Sequence, residues 1–267
     1  MRSRKNEKIS AIIATLCFLF MITINALANA LPLNGVNTGA LSNELPNLFV
    51  PAGATFSIWG LIYLLLGGHL WVLLERAFRD GIGRGGSTGE PLILAANFAL
   101  NAAWIFAWHW RMIPLSVLIM LGILGTLILL EERMAFSDAR ETPRTGVRAF
   151  FLRQPILVYL GWICVATVAN VTAALVHAGW DGFGLDPRVW TVLAIAAATA
   201  VGLALVWRRR AVASALVVVW ALVGIIYKRA GLDAQETMTI ITAAAIGMIL
   251  LLVMSYRALK TRSPLKT

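Results

Sequence analysis

The chain has 267 residues, of which 59% are hydrophobic and only 13% charged, and its mean hydropathy is +0.79. A soluble protein of this length needs far more charge on its surface, so the composition excludes a soluble globular fold and specifies a multi-spanning membrane protein. The formal net charge of +10 does not indicate nucleic-acid binding, because the Lys and Arg residues sit in short stretches between apolar runs, where they set topology.

Eight apolar runs follow in order: Ile9–Ala30, Ala54–Leu74, Leu92–Trp110, Ile113–Leu130, Pro155–Val176, Trp190–Trp207, Ala211–Tyr227 and Met238–Met254. About 20 residues are needed to cross roughly 30 Å of hydrocarbon, which these runs supply. With a cytoplasmic N-terminus, every one of the 23 Lys and Arg residues except Arg111, Arg188, Lys228 and Arg229 falls on an inner segment. A seven-helix count would scramble that alternation, so eight spans with both termini cytoplasmic are expected. Cys17 and Cys164 both lie inside apolar runs and form neither a disulfide framework nor a metal-binding pair.

The first run follows a basic stretch, Met1–Lys8, and ends near Ala28-Asn29-Ala30, which resembles a signal-peptide cleavage site. The run is longer than a usual signal core, and Asn25 and Asn29 have the spacing of helix-contact polar groups, so its retention is expected. The external segment Leu31–Val50 carries one charge, Glu44. It reads either as an ordinary linker or as a folded lid on the bundle mouth.

In the second run Phe56, Trp59 and Tyr63 fall at i, i+3 and i+7, so a helix sets all three rings on one face. An interfacial aromatic belt or simple packing explains most membrane aromatics. Tyr63, however, lies well inside the span, where its hydroxyl needs a partner. His69 reads as a hydrogen-bonded packing residue rather than a haem or metal ligand. Gly83-Arg84-Gly85-Gly86 has no flanking strand and reads as a cytoplasmic turn.

The third run carries Asn97, Asn101, Trp104 and Trp108 at i, i+4, i+7 and i+11, and the fifth carries Tyr159, Trp162, Ala166 and Asn170 at i, i+3, i+7 and i+11, each set along one helix face. Buried amides are disfavoured in a bilayer unless paired, so both stripes should face the bundle interior. Any single Asn reads as structural glue between helices. Three aromatic and polar stripes on three helices fit a largely apolar ligand cavity with a few orienting amides. The internal loop Glu131–Arg153 mixes both charge signs and reads as a solvated connection. In runs six to eight, small residues four apart (Ala198 and Gly202, Ala243 and Gly247) indicate close helix packing.

The Asp and Glu residues all lie outside the runs or at their edges. No embedded carboxylate is available for a proton relay or sodium site, which argues against an ion-coupled transporter. His–Cys clusters, paired catalytic carboxylates and phosphate-cradling glycine loops are likewise missing from the sequence.

Three motifs in order give the chain a recognisable pattern: Pro51…Phe56…Trp59-Gly-Leu-Ile-Tyr63, Leu100-Asn101-Ala-Ala-Trp104, and Tyr159-Leu-Gly-Trp162-Ile-Cys-Val-Ala166-Thr167-Val-Ala-Asn170. The sequence resembles the tryptophan-rich sensory protein / translocator protein family (TspO/MBR, the peripheral-type benzodiazepine receptors). The resemblance implies an all-α integral membrane protein, with a TspO-like five-helix transmembrane bundle over 1–176 and a three-helix transmembrane extension over 177–267. It implies a membrane receptor or binding protein, sensory or regulatory, for a flat apolar ligand such as a porphyrin or a sterol-like molecule. The implied ligand-binding set is Phe56, Trp59, Tyr63, Asn97, Asn101, Trp104, Tyr159, Trp162, Ala166, Thr167 and Asn170, with the aromatic rings as walls and the amides and Thr167 orienting polar edges. No cofactor is obligatory; porphyrin or haem enters as ligand. Light-dependent porphyrin oxidation is conceivable by the same resemblance, although no acid/base pair or metal site points to catalysis. The expected partners are that ligand, membrane lipid and a second copy in a homodimer, with no nucleic acid, in the cell (inner or plasma) membrane. The rival reading is a transporter or exporter of a small amphipathic solute that is not coupled through intramembrane carboxylates.

Overall fold

The computed structural model describes residues 2–31, 33–36, 38–79, 89–138, 146–232 and 234–261. The Gly83–Gly86 turn and the cations Arg84, Arg140, Arg144, Arg262 and Lys266 lie outside the described residues, as does the middle of the internal loop.

Among the described residues the regular structure is entirely helical: α1 (Arg2–Ala30), the short α2 (Thr38–Glu44), α3 (Ile58–Phe78), α4 (Gly89–His109), α5 (Ile113–Asp138), α6 (Val147–His177), α7 (Pro187–Arg209), α8 (Val212–Ala230) and α9 (Ala234–Lys260). Eight helical stretches are long and apolar enough to cross a membrane, as the run count predicts. Hydrocarbon offers no hydrogen bonds, so an apolar run must satisfy its own backbone as a helix. Local signals set the boundaries. Asp186 caps α7 by accepting the Arg188 N–H, with Pro187 at the first helical position.

Two compact units are formed, Met1–Leu41 with Trp59–Ile156, and Ser42–Ile58 with Leu157–Thr267. They are packing units, and their division does not follow the 176/177 boundary expected from the sequence.

In the first unit α1 packs on α4, and α4 on α5. Asn25 Nδ2 donates to Asn101 Oδ1 at 2.9 Å, joining α1 to α4. Asn29 does not act as its partner in this. It is exposed, and its amide returns to the Asn25 carbonyl of its own helix. The segment after α1 is folded rather than a bare linker, because Asn34 Nδ2 donates to the His109 carbonyl at 2.8 Å and Trp108 Nε1 to the Thr38 carbonyl at 3.4 Å. A Cβ on Gly68 would overlap the Phe151 ring, so this glycine lets α3 lie against the start of α6. The adjoining His69 is fully buried, with Nδ1 3.0 Å from the Phe151 carbonyl.

In the second unit α7, α8 and α9 pack on one another. Small residues allow this, as their spacing predicts. A Cβ on Gly202 would come within 2.7 Å of Leu251, and one on Gly247 would press on Thr199. Gly161 of α6 lies against the Ser214 backbone, where a Cβ would meet the carbonyl oxygen at 2.6 Å. Ser214 Oγ seals the contact by donating to the Leu157 carbonyl at 2.6 Å.

Candidate functional site

The expected ligand residues divide between the units. Trp59, Tyr63, Asn97, Asn101 and Trp104 belong to the first, and Phe56, Tyr159, Trp162, Ala166, Thr167 and Asn170 to the second.

In the first unit, Trp59 and Tyr63 stack with ring centroids 5.5 Å apart. Trp104 and Trp108 stack at 5.2 Å. These are the i, i+4 pairs that one helix face provides. Asn97 is turned toward α5, where its amide donates to Thr126 Oγ1 at 2.7 Å and to the Ile123 carbonyl. Phe56 belongs to the second unit, in the tight 3₁₀ turn Gly53–Ser57 that precedes α3.

Within the second unit, α8 holds this turn by its backbone. The Ala52 N–H donates to the Gly224 carbonyl at 3.1 Å, and Trp220 Nε1 to the Thr55 carbonyl at 2.9 Å. Phe56 then meets Trp162 edge to face, with centroids 5.7 Å apart. Trp162, Tyr159 and Asn170 are all buried.

A cavity of about 880 Å³ lies at one end of the second unit. Its long wall is the α6 line Thr167, Val171 and Leu175 with its neighbours Val168, Thr172 and Val176. One residue along a helix is a turn of about 100°. This line therefore lies one face away from Ala166 and Asn170, and Thr167 is the expected ligand residue that the cavity takes in. Opposite stands the start of α7 with Trp190 and Ala194, together with Trp180 and the segment Pro46–Val50. Trp180 and Trp190 meet at 4.7 Å with their planes 62° apart. Trp190 Nε1 donates to the Gly182 carbonyl at 2.9 Å. Gly182 has φ +67°, and a Cβ there would crowd that same indole, so glycine is needed on both counts.

The charged groups of the lining are Lys228 and Arg229 of α8 and Asp181. Arg229 is only 6% exposed. Its Nε donates to the Leu48 carbonyl at 3.2 Å and its Nη2 to the Asn47 carbonyl at 3.1 Å. Asp181 accepts the Phe183 N–H at 2.9 Å. Just outside, Asp186 is held by the Arg188 guanidinium and its backbone N–H, which lower its carboxyl to about 2. Sequence reasoning missed Trp180, Trp190, Lys228 and Arg229 as site residues. One signal was available, since Lys228 and Arg229 are two of the four cations that break the inner-loop pattern.

Among the described residues, eight helices of membrane length define a multi-pass membrane protein, and its second unit holds a mostly apolar cavity. The TSPO-like protein family model matches residues 11–257. The chain belongs to that family, and the match runs through α7 and α8 and most of α9 as well as the helices before them. Neither curated proteins nor solved structures gave a match.

Proposed function

We propose that the protein is a membrane receptor or binding protein for a flat, largely apolar ligand of the tetrapyrrole or sterol-like class. The observation that carries this reading is the cavity of about 880 Å³. Its size is within the range of about 300–1,000 Å³ that drug-sized ligands occupy. Aliphatic side chains of α6 and α7 offer a body-sized apolar wall, and Trp180 and Trp190 offer ring faces for a planar molecule. Thr167 and Thr191 place hydroxyls on that wall, though each already donates to a carbonyl of its own helix.

The test is titration of purified protein in a neutral detergent with protoporphyrin and, separately, with a sterol, following tryptophan fluorescence. Saturable quenching by protoporphyrin, or saturable displacement of it by sterol, supports the reading. Val171→Trp fills the cavity from α6 and should weaken that binding about tenfold or more, the equivalent of about 1.4 kcal/mol. Quenching that rises without saturation and is indifferent to Val171→Trp describes partition into the micelle and overturns it. Solute flux in proteoliposomes without saturable binding favours the transporter reading.

A further inference from the structure

Arg229 is buried, yet among the described residues its partners are two neutral carbonyls. No described carboxylate forms an ion pair with it. A buried guanidinium without a counter-ion is costly in a low-dielectric setting, and carbonyl dipoles compensate only part of that cost. The charge borders the cavity, and Lys228 beside it adds a second. Among the described residues one carboxylate, that of Asp181, lines the cavity, and it accepts a backbone N–H. Among the described residues, the cavity lining therefore carries two cations against one carboxylate, beside an aliphatic and tryptophan wall.

We infer that the cavity takes an amphiphile with an anionic head, a carboxylate, which pairs with Arg229 while the apolar body lies along α6 and α7. The planar fork of a guanidinium suits a carboxylate in two-point contact, and Nη1 makes no hydrogen bond to the described protein. The two carbonyl bonds hold the guanidinium in place before the ligand arrives, which lowers the ordering cost of binding. A neutral sterol would give Arg229 no charge partner beyond those of the described residues, so the site favours an acid over it. This inference rests on the reading that the cavity binds a flat, largely apolar ligand, and it specifies the chemistry of that ligand's polar end.

Protoporphyrin free acid and its dimethyl ester share one body and differ in the charges, so the pair isolates the head group. In the parent protein the free acid should bind about tenfold or more tighter than the ester, as expected for a charge-assisted hydrogen bond gained in a dry site. Arg229→Gln should bring that ratio close to one, Arg229→Lys should keep part of it, and Lys228→Gln should reduce it less than Arg229→Gln. Equal affinity of acid and ester in the parent overturns the inference and leaves the receptor reading standing. An acid preference that survives Arg229→Gln intact overturns the assignment to Arg229. Failure of both porphyrins to bind overturns the receptor reading, and the inference falls with it. The parent comparison needs no variant, so it decides even if loss of the loop contacts prevents Arg229→Gln from folding.

Discussion

His69 Nδ1 donates to the carbonyl oxygen of Phe151 at 3.0 Å, and that carbonyl is one α6 cannot satisfy by itself. Four residues on stands Pro155, inside the helix and without an N–H. In a bilayer an unpaired carbonyl has no water to turn to. The imidazole of α3 supplies the missing donor, and because a carbonyl only accepts, the Nδ1 proton is fixed by the contact. Nε2 lies 3.4 Å from Glu90 Oε1, within ion-pair reach though outside hydrogen-bond geometry. Both ring nitrogens thus face protein groups, which gives His69 a structural role.

The consequence is testable by a double-mutant cycle. His69→Ala should destabilise the protein by about 1–3 kcal/mol, the cost of a buried polar group left unpaired. Pro155→Ala restores the helical N–H, so in the His69→Ala background it should recover more stability than it adds to the parent. Detergent-solubilised variants followed by thermal or SDS denaturation give the four values needed. Strict additivity would show that the orphaned carbonyl is not what His69 serves.

A second cycle concerns the first helix. Asn25 is buried and bonded to Asn101 of α4, whereas Asn29 is exposed and bonded within α1. Asn25→Leu should therefore cost about 0.6–1.7 kcal/mol, the range for interhelical side-chain bonds in membranes. Asn29→Leu should cost close to nothing. If the two substitutions have equal effects, Asn25–Asn101 is not a contact that holds α1 in place.

Acidification probes the cap of α7. Arg188 holds the Asp186 carboxyl at about 2 against an ordinary 3.8. A carboxyl lowered on folding contributes stability that is fully present above its unfolded value and is lost as the pH falls through its folded one. The contribution should hold above about pH 4 and fade toward pH 2. Asp186→Asn should show a smaller loss of melting temperature between pH 5 and pH 2 than the parent, with little difference between pH 5 and pH 8. The group is exposed, so the effect should be small and weaken with added salt. A parent and variant with identical acid limbs would show that the cap contributes nothing.

How much was legible in the sequence follows from the range over which each signal acts. The eight spans were, because hydropathy summed over some 20 residues is strong and the arginine pattern gives an independent phase. The small-residue contacts at Gly202 and Gly247 were legible as spacing. Asn25 and Asn97 read as polar groups needing partners, but sequence could not say that the partners are Asn101 and Thr126. The hold of α8 on the 3₁₀ turn before α3 was not legible, because Trp220 and Thr55 are more than 160 residues apart in the chain. The cavity was hidden for the same reason, since its wall is assembled from Pro46–Val50, α6, the α7 start and the α8 end. Trp180 and Trp190 belong to no polar stripe, so nothing in the sequence singled them out.

Orientation is predicted from charge. Nineteen of the 23 basic residues, all but Arg111, Arg188, Lys228 and Arg229, lie on one side of an eight-span arrangement. The positive-inside rule sets that side as cytoplasmic. Reporter fusions after Val50 and after Thr267 should then report opposite sides of the membrane, with the Thr267 fusion inside. Both fusions on one side would refute the arrangement. The same experiment sets the access route, since the cavity lies at the end of the second unit that carries Val50 and Arg229.

The last prediction concerns Gly224. A Cβ there would overlap the Thr55 hydroxyl and methyl groups, so glycine alone lets the 3₁₀ turn lie on α8. The contact is backed by the Ala52 N–H to Gly224 carbonyl bond at 3.1 Å and the Trp220 to Thr55 bond at 2.9 Å. Thr55 is buried and immediately precedes Phe56, whose ring meets Trp162. Displacing the turn therefore moves Phe56 and also the Pro46–Val50 wall that Arg229 grips. Gly224→Leu should cost about 1–3 kcal/mol by overpacking and should weaken porphyrin quenching along with stability. Gly67 is a helical glycine with nothing within 4 Å of its would-be Cβ, so Gly67→Leu should be neutral or stabilising, in line with the poor helix propensity of glycine. Trp220→Phe keeps the ring but removes the donor to Thr55, and should fall between the two. If Gly224→Leu melts and binds like Gly67→Leu, α8 does not position the turn.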